Sequence, residues 1–127
     1  MAIAIGTDIL EIERLKQLFD RQGEKFAQRI LTPEEFTRFD SMTDESAQLG
    51  YLAKRWSAKE AIAKALGTGI AKGVGWQQMA VLNDDQGAPY VVLSGVALDR
   101  LQDIGGHKVL ISVSDERHYC VAYCTIV

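Results

Sequence analysis

The sequence predicts an α+β domain in which helices pack on an antiparallel sheet. Helical patterns dominate the first half of the chain, whereas alternating or wholly apolar strand patterns dominate the second half. Such segregation is typical of α+β folds, because parallel α/β sheets need strands and helices in alternation. With 127 residues, of which 47% are hydrophobic and 24% charged, the chain fits a single domain, 1–127, with a modest core.

One strand and four helices are expected in the first half. The strand is an apolar run that ends at Asp8, and in the next segment Leu15, Leu18 and Phe19 fall at helical spacing. The full set of expected elements is a strand at 2–8, helices at 11–21, 23–30, 33–42 and 45–66, strands at 75–82 and 89–94, a helix at 95–104, and strands at 107–114 and 118–126.

The helix at 33–42 has a clear start signal. Thr32 can cap the helix, Pro33 suits its first position, and Glu35 completes a capping box. An alternative is that Glu35 faces a metal ion or its water. The long helix that follows is expected to end at Gly67, the residue type that favours a helix C-terminus.

Turn signals separate the elements of the second half. Gly87 and Pro89 interrupt the run between two strands and predict a hairpin loop, and Ser94 can cap the next helix. The last two strands are expected to be joined by a turn at 115–117. Their apolar face favours an oligomer.

Composition excludes several classes of protein. The net charge of −3 argues against nucleic-acid binding, and no apolar run approaches the roughly 20 residues that span a bilayer. The first residues lack the basic segment of a secretion signal, so a cytoplasmic protein is expected. Cys120 and Cys124 would lie about 13 Å apart along a strand, too far for a disulfide, and are predicted to be buried.

Three residues predict a site for Mg²⁺ and phosphate. Glu60 and Lys64 are four apart on the long helix and therefore share a face, while Asp8 supplies a second carboxylate. The loop 67–69 follows, where glycines allow close approach of a phosphate. The alternative is structural, because Glu60 and Lys64 also form an ordinary helical ion pair and Gly67 also suits a helix end.

Two motifs resemble those of the holo-[acyl-carrier-protein] synthase family, the small phosphopantetheinyl transferases. The first is Gly6-Thr7-Asp8-Ile9 at the end of strand one. The second runs without a gap from Arg55 to Gly69, with Lys59-Glu60-Ala61, Lys64-Ala65 and Gly67-Thr68-Gly69 at the family's positions. The segments 30–35 and 84–89 are also similar, so the resemblance covers nearly the whole chain.

The resemblance implies the transferase fold and its reaction. Phosphopantetheine would move from coenzyme A to a serine of apo-acyl carrier protein, leaving adenosine 3′,5′-bisphosphate. Asp8 and Glu60 would bind Mg²⁺ and Lys64 would contact a phosphate. The general base stays open between a metal-bound water, Glu60, and Glu35 acting through water. The short chain resembles the type that serves fatty acid synthesis.

The resemblance also implies where coenzyme A and the carrier bind. Members of the family are typically trimers with the active site at the subunit interface, and the loop at 87–89 contacts adenine from a neighbouring subunit. The residues expected to bind coenzyme A are Arg55, Lys59, Lys64, Gly67, Thr68, Gly87 and Pro89.

A basic stripe is expected on the first helix. Arg14, Leu18, Arg21 and Lys25 fall at steps of four, three and four residues. On pattern alone this stripe is either a solvated face or a docking surface, because acidic residues are interleaved with it. The resemblance implies that it docks the acidic carrier protein.

One departure from the family stands near the C-terminus, where Asp115 occupies the place of a histidine that many members carry. Two other functions remain open from the residues alone. One is a non-catalytic oligomeric module that binds a nucleotide or an acidic helix, and the other is a metal-dependent phosphohydrolase.

Overall fold

The computed structural model describes all 127 residues and contains five helices and five strands. Their order follows the sequence prediction closely. The elements are β1 (Ala4–Glu11), α1 (Ile12–Gln22), α2 (Glu24–Ile30), α3 (Pro33–Asp40), α4 (Glu45–Ala65), β2 (Met79–Asn83), β3 (Pro89–Leu93), α5 (Gly95–Asp103), β4 (Val109–Asp115) and β5 (Tyr119–Ile126).

The strands form two antiparallel sheets. A three-stranded sheet has the order β1-β5-β4, and β2 and β3 pair as a separate hairpin. In the larger sheet Ala122 of β5 lies between Asp8 of β1 and Val113 of β4. The antiparallel pairing agrees with the predicted fold class.

The long helix α4 packs against β1 and β5 and organises the interior. Its C-terminal half joins a core with β2, α5, β4 and β5, and its middle joins a second core with α1, α2 and α3. Gly6 allows β1 to approach α4 closely, because a Cβ there would lie 2.1 Å from the Ala61 carbonyl oxygen and 2.7 Å from the Ala65 nitrogen. Contact with this helix fixes the position of β1, and Asp8 lies two residues further along the strand.

Two local expectations were wrong. β1 continues past Asp8 to Glu11, since its register with β5 runs to Tyr119. Residues 76–78 form a 3₁₀ turn before β2 rather than the start of a strand. The division between the first two helices was predicted, and Gly23 separates them with a φ of 67°, in the left-handed region that glycine adopts readily.

The face of the three-stranded sheet that points away from α4 is exposed and apolar. Ile5 and Ile9 of β1 are 61% and 68% exposed, and Val121 and Tyr123 of β5 and Leu110 of β4 are also exposed. The opposite face is buried against α4, as the alternation of burial along β5 shows. None of the helices combines the length and the apolar character that crossing a bilayer requires.

Candidate active site

Asp8, Glu60 and Lys64 meet where β1 crosses α4. The Lys64 ammonium donates to the Thr7 carbonyl oxygen at 3.0 Å and to Asp8 Oδ1 at 3.2 Å. The Asp8 side chain is only 12% exposed, whereas that of Lys64 is 50% exposed. Lys64 therefore keeps an accessible charge that can face an anion while it holds Asp8 in place.

The two carboxylates repel each other, and one of their oxygens is buried without a partner. Asp8 Oδ2 is buried and has no hydrogen-bond partner. Burial raises the pKa of Glu60, repulsion from Asp8 raises it further, and Lys64 partly offsets both. A cation between the carboxylates would relieve this repulsion.

Two carboxylates form a donor set that a hard divalent cation such as Mg²⁺ accepts. No group of three His, Cys, Asp or Glu side chains converges anywhere in the chain. Mg²⁺ commonly takes one or two protein carboxylates and completes its shell with water and substrate phosphates. Asp8 and Glu60 therefore fit an ion shared with a phosphorylated substrate.

The raised pKa of Glu60 predicts a pH dependence of stability. The folded protein holds this proton more tightly than the unfolded chain, so stability is lost as pH rises from the ordinary glutamate range toward the raised pKa. We expect Glu60→Gln to stabilise the metal-free protein at neutral pH by less than about 1 kcal/mol, because Glu60 is partly exposed. Thermal unfolding should show no such gain below about pH 4, and an equal gain at both pH values would contradict the prediction.

A second group of predicted residues lines a separate cavity of about 900 Å³ between the N-terminal part of α4 and the β2–β3 hairpin. Arg55 Nη2 donates to Asn83 Oδ1 at 2.7 Å, and its guanidinium lies 4.4 Å from the centre of the Tyr51 ring. Gly87 also lines the cavity, but Pro89 does not. The cations of this lining are Arg38, Lys54 and Arg55.

The two groups are not joined within one chain. Asp8, Glu60 and Lys64 are absent from the lining of the Arg55 cavity, whereas Asp115 is part of it. A single chain thus carries an acidic cluster and, apart from it, a cavity whose three cations are accompanied by the carboxylates of Glu34, Asp44 and Asp115.

A family model for the 4′-phosphopantetheinyl transferase superfamily matches residues 4–124. The chain belongs to this superfamily. A holo-[acyl-carrier-protein] synthase of Vibrio parahaemolyticus is 50% identical to it over 120 residues, which are 94% of this chain and 93% of the relative. The prediction of the family from the two motifs is therefore confirmed.

Solved structures of transferases in the same family share the fold. The holo-[acyl-carrier-protein] synthase of Neisseria meningitidis has a TM-score of 0.89 at 39% identity, covering 100% of this chain and 99% of that one. The synthase of Bacillus anthracis, in complex with coenzyme A (3′,5′-ADP), has a TM-score of 0.83 at 34% identity, covering 99% and 96%. These likenesses confirm the predicted α+β transferase fold.

In this transferase Lys59 does not lie where a substrate phosphate could reach it. Its side chain is fully buried, and its ammonium donates to Glu35 Oε1 and the Ile30 carbonyl oxygen, both at 2.6 Å, and to the Trp76 carbonyl oxygen at 3.2 Å. This corrects the expectation that Lys59 binds coenzyme A. The sequence motif places Lys59 next to Glu60, but the helix turns its side chain inward.

The same contacts decide between the two interpretations of Glu35. Glu35 is fully buried and completes the capping box with Thr32, as predicted from the helix start signal. Its Oε2 accepts from the Val81 nitrogen at 2.7 Å and its Oε1 from the Thr32 nitrogen at 2.8 Å. With both oxygens engaged, Glu35 does not face a metal ion or its water.

The loop after α4 is a helix cap rather than a cradle of free N–H groups. The backbone nitrogens of Thr68 and Gly69 both donate to the Ala63 carbonyl oxygen, and the backbone nitrogen of Gly67 donates to the Lys64 carbonyl oxygen. Gly67 and Gly69 have positive φ angles of 81° and 64°, which explains the glycines. A phosphate that approached this loop, as the sequence predicts, would therefore meet no free backbone N–H group at residues 67–69.

The basic stripe is divided between two helices. Arg14 and Arg21 are exposed on α1, but Lys25 lies on α2 beyond the break at Gly23. Leu18 is half-buried and packs against the core formed with α2 and α3. The surface therefore offers two cations on one helix and a third on the next.

Several residues of the Arg55 cavity, including Tyr51 and Asn83, were not predicted from the sequence. Tyr51 lies one helical turn before Arg55, a spacing at which an arginine can stack on an aromatic ring. Asn83 donates to the Gly87 carbonyl oxygen at 3.1 Å and thereby connects Arg55 to the hairpin loop. The helical spacing alone could have indicated Tyr51, whereas the role of Asn83 depends on the tertiary contact.

Proposed function

We propose that this protein is a holo-[acyl-carrier-protein] synthase. It transfers 4′-phosphopantetheine from coenzyme A to a serine of apo-acyl carrier protein and releases adenosine 3′,5′-bisphosphate. The observation that carries the proposal is the meeting of Asp8, Glu60 and Lys64 at the crossing of β1 and α4, in a chain half identical to a synthase of that name.

The reaction is a phosphoryl transfer. The serine oxygen forms a bond to the phosphorus that carries pantetheine, the bond from that phosphorus to the bridging oxygen breaks, and the bridging oxygen leaves with adenosine 3′,5′-bisphosphate. Such a transfer depends mainly on alignment and on neutralising charge. Lys64, accessible and adjacent to Asp8, offsets the charge that develops on the phosphate oxygens.

Asp8 and Glu60 hold Mg²⁺, which supplies positive charge to the diphosphate when bound. The unpartnered Asp8 Oδ2 and the raised pKa of Glu60 support this assignment. The serine proton passes to Glu60 or to a water held by it. Glu35 does not serve as the base, because its oxygens are already bonded to Lys59 and to backbone nitrogens.

We place the complete active site between subunits of a homotrimer. The acidic cluster of one subunit and the Arg55 cavity of its neighbour together bind coenzyme A. Arg55 and the Gly87 loop contact the nucleotide end of the molecule. The separation of the two surfaces within one chain supports this arrangement. The exposed apolar face of the three-stranded sheet supplies the surface that subunits would bury.

Arg14, Leu18 and Arg21 on α1, with Lys25 on α2, dock the acyl carrier protein. The exposed cations support this role because the chain as a whole is acidic, with a net charge of −3, so a local basic surface is needed to attract an acidic partner. The reaction takes place in the cytoplasm and serves fatty acid synthesis.

Intact-mass spectrometry tests the proposed transfer. A bacterial apo-acyl carrier protein incubated with this protein, coenzyme A and Mg²⁺ should gain one phosphopantetheinyl group, and a chelator should prevent the gain. An unchanged mass, with a known transferase active on the same carrier, would contradict the proposal and favour a binding module. Release of phosphopantetheine into water without a carrier would instead indicate a phosphohydrolase.

A further inference from the structure

An arginine of α5 lies over the turn that ends α4. Arg100 Nε donates to the Leu66 carbonyl oxygen at 2.7 Å, and its Nη2 lies 3.2 Å from where a Cβ at Gly67 would stand. The guanidinium makes no ion pair, and its two terminal amino groups have no acceptor in the chain. Glycine at 67 thus leaves open the space that this guanidinium faces.

The turn itself is a poor place for an anion. The C-terminus of a helix carries a partial negative charge from its unpaired carbonyl groups. The N–H groups of Gly67, Thr68 and Gly69 are all donated within the turn, so they offer nothing to a phosphate. An anion near this end of α4 therefore needs a cation from another element, and Arg100 is placed there.

Arg100 reaches the C-terminal end of the helix that carries Lys64. Gly67, the residue that the guanidinium faces, donates its N–H to the Lys64 carbonyl oxygen. Arg100 therefore contacts the same end of α4 to which Lys64 belongs. Lys64 is a point charge directed at Asp8, whereas the free edge of Arg100 presents donors in a planar fork that matches two phosphate oxygens.

We propose that Arg100 is a second phosphate-binding cation, which contacts the diphosphate of coenzyme A beside Lys64. The inference rests on the proposed function, because that function places the diphosphate at the end of α4. The Nε–Leu66 hydrogen bond fixes the guanidinium and leaves its terminal amino groups for the substrate.

Calorimetric titration with coenzyme A in the presence of Mg²⁺ tests this role. We expect Arg100→Leu to weaken coenzyme A binding by about tenfold, the effect of losing a charged hydrogen bond. The affinity of the variant should also fall less steeply with added salt than that of the wild type, because one screened charge contact is gone. Arg29→Leu is the matched control, since Arg29 is exposed on α2 and makes no side-chain hydrogen bond.

Two results from the Arg100→Leu protein would overturn the inference. One is an unchanged affinity for coenzyme A in Arg100→Leu. The other is a loss of affinity with the salt dependence of the wild type, which would mean that Arg100 only supports the turn. If Arg100→Leu fails to fold, Arg100→Lys replaces it. Arg100→Lys should retain the wild-type salt dependence and lose less affinity for coenzyme A than the leucine variant is expected to lose. An Arg100→Lys protein that shows neither the wild-type salt dependence nor the smaller loss would also overturn the inference. Binding of coenzyme A without transfer to the carrier would contradict the proposed function and leave the Arg100 measurement valid.

Discussion

Replacing Asp8 by asparagine is expected to slow phosphopantetheine transfer at least ~100-fold, because one of the two carboxylates proposed to hold Mg²⁺ is neutralised. Asp8 Oδ2 is buried without a hydrogen-bond partner, and Asp8 raises the pKa of Glu60 by repulsion. Removal of that charge should leave the metal-free protein at least as stable as the wild type. The loss of activity would therefore not be a loss of fold.

Thermal unfolding with and without Mg²⁺ separates the metal from the chemistry. Added Mg²⁺ should raise the melting temperature of the wild type, since a ligand that binds only the folded state stabilises it, and should not raise that of Asp8→Asn. Asp40→Asn is the matched control, because Asp40 is exposed at the end of α3 and outside the cluster. Wild-type turnover by Asp8→Asn, or an equal Mg²⁺ shift in both proteins, would refute the assignment.

Replacing Lys59 by methionine is expected to destabilise the fold by about 3–5 kcal/mol, the usual cost of removing one partner from a buried ion pair. The variant would leave the fully buried Glu35 carboxylate without its cation. Burial lowers the pKa of Lys59, and the nearby Glu35 carboxylate partly offsets this effect by raising it. The charged form of Lys59 is therefore stabilised by its contact with Glu35. Urea denaturation followed by the fluorescence of Trp56 and Trp76 measures the loss, since the centres of these rings lie 4.7 Å apart beside the pair.

A double variant and a surface control make this prediction specific. Lys59→Met combined with Glu35→Gln should recover part of the lost stability, because no uncompensated charge remains. The recovery is only partial, since the amide oxygen can accept from one of the two backbone N–H groups that Glu35 serves, those of Thr32 and Val81. Lys108→Met, at an exposed position, should change stability by less than about 0.5 kcal/mol. A Lys59→Met protein as stable as the Lys108→Met protein would show that the ion pair contributes little.

Local signals in the sequence were sufficient for most of the fold. The capping box at Thr32 and Glu35 and the C-terminal glycine of α4 depend only on neighbouring residues, and both are present. Prediction of the contact between Asp8 and Lys64 also required that β1 pack against α4. The apolar strand and the family motif together indicated this packing. The helix cap and the helix end depend on short-range geometry, which the chain encodes directly, whereas the contact between Asp8 and Lys64 joins residues 56 positions apart.

The burial of Lys59 could not be obtained in the same way. Lys59 and Lys64 are five residues apart, which places them about 140° apart around the helix, so one can be buried while the other is exposed. The spacing does not say which, because α4 has core packing on several sides. Residue type suggested that both side chains are accessible, since an unpaired lysine is rarely buried. The partner that allows Lys59 to be buried is Glu35, which is 24 positions away in the sequence.

The two cysteines of β5 have a practical consequence. Cys120 and Cys124 are fully buried against α4, and burial raises the pKa of both thiols, that of Cys124 to about 12. Thiolate is the reactive form, so the native protein should resist maleimide reagents. A cysteine engineered at an exposed position away from the sheet face that subunits would bury, for example at Asp40, could therefore carry a fluorophore without removal of the natural thiols. Energy transfer between labelled subunits would then report assembly in real time.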